Sequence, residues 1–266
     1  MKSSIGLFNL DMEKEKQINK ESQSPLDFLK NLLIARWRSL LLLLIGVYLP
    51  LQIFEILTVN IWKNQAGFPW DAPILLAVHS TANPQLDVLA VILATIGLPW
   101  TAMVILGAIA LMLILQKRWR SLAYLLTASA GSVIINRTAK QLMHRVRPQL
   151  WQSIAPESTF AFPSAHAMTS VTLVAILLFL TWATSWRWLI LIFGSLYIIA
   201  IAWCRLYLGV HFPSDILAGW MVALGWTIGV SLIIKPYRTI AKSVDSERPK
   251  DETTLLPEEI KSINKE

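Results

Sequence analysis

Residues 160–180 read FAFPSAHAMTSVTLVAILLFL. The second half is an apolar run of the kind that crosses a bilayer. At its mouth stands His166, in a chain with only four histidines. Pro163-Ser164 reads as a helix start, with Ser164 as the cap. Free N–H groups at a helix start attract anions, and His166 falls in the first turn. A lone histidine in that position is more often structural, so a functional reading needs partners elsewhere in the chain.

The composition sets the surroundings. The chain has 266 residues, 55% of them hydrophobic and only 15% charged. Soluble domains average about 45–50% apolar and about 25% charged. The apolar residues also come in long blocks, so the chain reads as an all-α, polytopic membrane protein. The first 24 residues have no apolar core, so the first spanning helix is expected to act as a signal anchor in place of a cleaved peptide. Cys204 is the only cysteine, which leaves no intrachain disulfide and no cysteine-based metal site. The net charge of +7 reads as flanking charge that orients spans, and no basic module for nucleic acid is visible.

Outward from the opening stretch, six transmembrane helices are expected. Residues 1–38 form a cytoplasmic polar tail, in which Ser24-Pro25 reads as the start of an interfacial helix. The first span is 39–58, followed by an external loop at 59–83 with a short interfacial helix. As one helix, Leu86 to Leu115 would be about 45 Å long, against a hydrocarbon core of about 30 Å. Gly97 and Pro99 supply a break, which predicts an outer helix at 84–96 and a span at 98–115. The remaining spans are 121–141, 165–183, 187–205 and 213–234. The patch Ala128-Ser129-Ala130-Gly131-Ser132 suits close helix packing. The spans and their turns make a membrane domain over 39–234, and 235–266 is a charged tail expected to be disordered. Lys and Arg cluster before the first span, at 117–120, at Arg187 and after the sixth span. That bias puts both termini in the cytoplasm.

A second basic group lies at the opposite end of the third span. Arg137, Lys140, His144 and Arg147 recur at intervals that place them on one helix face. A basic side chain at the bilayer centre costs roughly 2.5–3.5 kcal/mol, so these belong at the outer interface. They either bind headgroups non-specifically or form an anion site. CRLYLGVHFPSD, residues 204–215, supplies the missing partner. Pro213 starts the sixth helix, and Asp215 in its first turn can fold back on His211. A carboxylate on one imidazole nitrogen fixes the tautomer and leaves the other lone pair free, as covalent catalysis by histidine requires. The plainer reading is a capped helix with an incidental histidine.

Together these stretches resemble the type 2 phosphatidic acid phosphatase (PAP2) superfamily of integral-membrane lipid phosphatases. The family pattern is K-x6-R-P, then P-S-G-H, then S-R-x5-H-x3-D. This chain has KQLMHRVRP from Lys140, then PSAH with Ala165 for glycine, then CRLYLGVHFPSD with Cys204 for serine. The likeness covers about 70–237. It implies that His211 attacks phosphorus, that Asp215 orients His211, and that His166 protonates the leaving oxygen and then activates water. Lys140, Arg147 and Arg205 would neutralise the phosphate oxygens, with hydrogen bonds from Ser164 and the Ala165 N–H. No metal and no cofactor are implied, because three cations stand where other phosphatases use a metal ion.

The expected function is hydrolysis of a membrane lipid phosphate or diphosphate at the outer face of the cell (inner) membrane. Undecaprenyl diphosphate, phosphatidylglycerol phosphate and phosphatidic acid are candidate substrates. A phosphotransferase on the same scaffold, passing the phosphoryl group to a lipid or sugar, is the alternative. A non-catalytic lipid transporter or scaffold is a third reading. A transporter would carry ionisable groups deep in several spans, whereas this chain gathers them at one face.

Overall fold

The computed structural model describes residues 25–236. The cap at Ser24 and most of both predicted tails lie outside them. Among the described residues every regular element is helical, with no strand. The first helix, α1 (Pro25–Leu43), runs through a π-helical turn at Leu44–Tyr48 into α2 (Leu49–Lys63). Pro50 near the start of α2 lacks the N–H that a regular ladder needs, which accounts for a local change of pitch. The helix continues to Lys63, beyond the expected end at 58.

A short helix, α3 (Asp71–His79), and a longer one, α4 (Pro84–Ile96), follow. Asn83 caps α4 by accepting a hydrogen bond from Leu86 N at 3.0 Å. The expected break at Gly97 and Pro99 is present, and α4 meets α5 (Pro99–Leu115) at a bend of 43°. The last four helices are α6 (Trp119–Met143), α7 (Ala165–Leu180), α8 (Trp186–Tyr207) and α9 (Pro213–Ile234).

Three helices among the described residues are long and apolar enough to cross a membrane: Ser39–Lys63, Trp186–Tyr207 and Pro213–Ile234. The bent pair α4–α5 makes a fourth if it is one span. Helix α6 is long enough, but Arg120, Arg137, Lys140 and several Ser and Thr residues lower its hydropathy. Helix α7 is apolar but only 16 residues long.

Helix α7 packs against α5, α6, α8 and α9. It lies at the centre, with nine residues buried, from His166 to Ile176. Half of the most apolar part of α9 is buried inside the molecule, against 17% for Ser39–Lys63 and 22% for α8. Helices α7 and α9 are therefore the most enclosed, and the longer outer helices carry many exposed apolar side chains. Small residues bring the central helices close. A Cβ on Gly219 would stand 2.9 Å from the Ser164 carbonyl oxygen. The small-residue patch of α6 receives Trp226, whose Nε1 donates to Ala128 O at 3.1 Å. The hydroxyls of Ser132 and Thr172 pair across α6 and α7 at 2.9 Å. The ends of α6 and α8 and the starts of α7 and α9 meet at one end of this bundle.

Candidate active site

Most candidate residues sit at or next to a helix end because the local sequence ends or starts a helix there. Ser164 caps α7 by accepting from Ala167 N, and its own N–H donates to Asp215 O at 3.1 Å. This second bond ties the start of α7 to the start of α9. His166 follows in the first turn and is buried. Pro213 starts α9, which leaves His211 two residues before the helix and Asp215 in its first turn.

His211 is fully buried. Its Nδ1 stands 3.6 Å from Asp215 Oδ2, and its Nε2 lies 3.1 Å from Arg147 Nη1. Phe212 N donates to the same Asp215 oxygen at 2.8 Å. The imidazole therefore lies between a carboxylate and a guanidinium. Burial, with Arg147 beside it, holds the His211 imidazole well below its ordinary pKa. It is neutral near pH 7, with Nδ1 facing the carboxylate and Nε2 facing the cations.

Arg205, at the end of α8, is buried beside His166, with Nη1 at 3.5 Å from Nδ1. Arg147 is held by the backbone, donating to Thr159 O at 2.7 Å and Val210 O at 2.6 Å. Lys140 donates to Phe160 O. Glu157 joins the two arginines. Its Oε2 accepts from Arg147 Nη2 at 2.6 Å and its Oε1 from Arg205 Nη1 at 2.7 Å. Burial opposes ionisation of Glu157, but the surrounding cationic groups, Arg147 and Arg205 among them, outweigh it and hold the carboxyl at about 2. Arg205 Nε and Nη2, His166 Nε2 and His211 Nδ1 are buried and make no hydrogen bond. Cationic donors in excess of acceptors suit an anion with several oxygens. Among the described residues, no group of three or more His, Cys, Asp or Glu side chains is placed to hold a metal ion.

The expected cationic helix face does not exist as such. Helix α6 ends at Met143, and His144 takes a left-handed conformation with φ 47°. Arg147 therefore reaches the cluster from a loop, Arg137 is exposed, and His144 packs edge-on against Phe160. His79 stacks on Trp151, with ring centroids 3.8 Å apart.

Sequence reasoning missed Asp71, Arg145 and Glu157. Arg145 is the largest fully buried side chain. Its Nη1 donates to Asp215 Oδ1 at 2.5 Å and to Ser214 Oγ at 2.8 Å, and its Nη2 donates to Asp71 Oδ2 at 2.9 Å. Asp71 also accepts from Ser214 N and Oγ, at 3.0 and 2.6 Å. Gly67 closes over this group with φ +83°, and a Cβ there would collide with Arg145 Nη2. Arg145→Met would leave two buried carboxylates unpaired, at a cost of about 3–5 kcal/mol. The expected result is a marked drop in the unfolding temperature of the purified protein in detergent, with a smaller drop for Asp71→Asn. An Arg145→Met protein that melts like wild type would show that the network does not hold the fold.

The sequence pattern of the PAP2 superfamily matches residues 121–238, which contain all three motif blocks. An undecaprenyl-diphosphatase of Sulfolobus acidocaldarius is 28% identical over 137 residues, 49% of this chain and 64% of that protein. A decaprenylphosphoryl-5-phosphoribose phosphatase of Mycobacterium tuberculosis is 37% identical over 136 residues, 49% of this chain and 67% of that protein. The match thus spans about two thirds of the length of these relatives. Among solved structures, the transmembrane PAP2-type phosphatidylglycerolphosphate phosphatase from Bacillus subtilis superposes with a TM-score of 0.61 at 25% identity, covering 73% of this chain and 98% of that one.

Proposed function

Given that the chain belongs to the PAP2 superfamily, we propose that it hydrolyses a membrane lipid phosphate or lipid diphosphate through a phosphohistidine on His211. The observation that carries this reading is the placement of His211, with Nδ1 3.6 Å from Asp215 and Nε2 3.1 Å from Arg147. Nε2 attacks phosphorus as the bond to the lipid oxygen breaks. Protonated His166 gives its proton to that oxygen, and the lipid alcohol, or lipid monophosphate from a diphosphate, leaves. Neutral His166 then takes a proton from water, which attacks the phosphohistidine and releases inorganic phosphate. Asp215 stabilises the charge that His211 gains in the first step. Lys140, Arg147 and Arg205 stabilise the equatorial oxygens, with hydrogen bonds from Ser164 and the Ala165 N–H. Such charge stabilisation dominates phosphoryl transfer.

The substrate class follows from the setting. A cationic pocket at the end of a lipid-facing bundle suits an amphiphile whose head reaches water. The relatives are named for isoprenoid and glycerophospholipid phosphates, so undecaprenyl diphosphate, phosphatidylglycerol phosphate and phosphatidic acid are the candidates. The membrane arrangement is six crossings: the Ser39–Lys63 stretch and helices α5 to α9. Helix α4 lies at the outer surface. Both termini are then cytoplasmic, and the site opens outward from the inner membrane. The Lys and Arg residues at 117–120, Arg187 and Lys235 support that orientation.

A phosphate-release assay across these lipids in detergent tests the chemistry. Wild type should release phosphate from at least one lipid and keep most of its activity in EDTA, and His211→Ala should lose turnover by at least about a thousandfold, as expected for losing a nucleophile. Transfer of the phosphoryl group to an acceptor without free phosphate would favour a phosphotransferase. Undiminished release by His211→Ala would refute the mechanism.

Sidedness has its own test. A single cysteine in the 149–160 loop, in a Cys204→Ser background, should react with an impermeant thiol reagent in intact cells or spheroplasts. Labelling only after lysis would place the site on the cytoplasmic side.

A further inference from the structure

Glu157 puts a negative charge among the cations that the reading above assigns to phosphate. Its carboxylate bridges Arg147 and Arg205, which come from different elements, at 2.6 and 2.7 Å. Its Oε1 also stands 3.7 Å from His166 Nδ1. Two oxygens shared between two guanidinium groups is the contact a phosphoryl group makes. Yet this carboxylate leaves donors over. Arg205 Nε and Nη2 and His166 Nε2 remain buried without a hydrogen-bond partner. A phosphoryl group brings three non-bridging oxygens where a carboxylate brings two. The cluster therefore fits a larger and more highly charged anion than the side chain that bridges it.

We infer that Glu157 is an internal competitor for the phosphate seat, displaced by the substrate and favouring dianionic or diphosphate headgroups over singly charged phosphodiesters. This rests on the phosphatase reading of the site. Two anions at contact distance on the same arginines repel strongly, so substrate and carboxylate do not share them. A phosphodiester brings one negative charge and gains nothing in charge over Glu157. A monoester dianion or a diphosphate brings more, and also reaches the unused donors.

The loop lets the carboxylate leave without losing Arg147 or Lys140. The Glu157 side chain is 26% exposed, so one side already faces water. Arg147 keeps its bonds to Thr159 O and Val210 O, and Lys140 keeps Phe160 O. These hold the cations and the end of the loop when the side chain turns out. The cationic setting keeps Glu157 charged at every working pH, with its pKa at about 2, so the competition does not switch off by protonation.

The size of the effect follows from occupancy. If the carboxylate is seated in nine of ten molecules, the apparent affinity for an added anion falls about tenfold. The test compares wild type, Glu157→Gln and the shorter Glu157→Asp, purified as full chains in detergent and checked for folding by thermal melting. Orthovanadate inhibition and calorimetric binding of inorganic phosphate are the probes, with KM and kcat for a lipid monophosphate beside them. Glu157→Gln should bind vanadate and phosphate about tenfold more tightly. Its gain should fall on KM rather than kcat, and Glu157→Asp should lie between. Equal or weaker binding by Glu157→Gln, with wild type binding normally, would overturn the inference and make Glu157 a support for the arginines. Failure of folded wild type and variants alike to bind either anion would instead overturn the phosphate-site reading.

Discussion

Arg145 is a guanidinium with no exposed surface, held between two carboxylates that are also buried. Removing such charges from water costs several kcal/mol per ion, and only near-complete hydrogen bonding repays it. Arg145 meets that condition. It donates to Asp71, Ser214 and Asp215, makes a longer contact from Nε to Gln65 O at 3.4 Å, and has its guanidinium 4.4 Å above the Phe212 ring. The partners come from residues 65–71, up to the first residue of α3, and from the start of α9, so one side chain ties together two segments that are far apart in sequence. Gly67 is part of the same constraint, since any side chain there would collide with the guanidinium.

The proposed chemistry depends on that lock. Asp71 and Asp215 together carry two negative charges and Arg145 one positive charge. The remaining negative charge lies on the side facing His211, where Asp215 Oδ2 approaches Nδ1. On the far side of the imidazole, Nε2 meets Arg147, one of the cations proposed to neutralise phosphate. The ring thus spans a net negative group and a net positive one, an arrangement that both activates Nε2 and stabilises the phosphohistidine it would form. The bundle supplies rigidity, because α7 and α9 approach to backbone contact at Gly219. On the proposed membrane arrangement, the site at the end of these helices lies where lipid gives way to water, where cations and histidines are least costly.

Much of this was legible in the sequence. Apolar block length, Asn83-Pro84, Gly97 with Pro99, Ser164 and Pro213 mark helix ends through local chemistry, and local chemistry is visible in a short window. The three motif blocks name side chains that the structure brings to one end of the bundle. The basic run at 137–147 misled, because its intervals suit a helix face, yet the chain turns left-handed at His144. Nothing in the periodicity separated Arg145 from its exposed neighbours. Its partners are 70 and 74 positions away, and an isolated Asp71 in a loop reads as solvated. Glu157 was hidden for the same reason, since Arg205 lies 48 positions on. Buried charge pairs across such distances leave no pattern in one chain.

The central claim is that His211 Nε2 takes the phosphoryl group, and trapping that bond tests it most directly. His166→Ala should slow hydrolysis of the intermediate while sparing its formation from a lipid diphosphate, whose leaving group departs without a proton. Rapid acid-free quenching of this variant with substrate, followed by peptide mass spectrometry, should find a phosphoryl group on the peptide containing His211. The adduct should be labile to acid and stable to base. A phosphoryl group on another residue, or turnover with no adduct at any time point, would contradict the account.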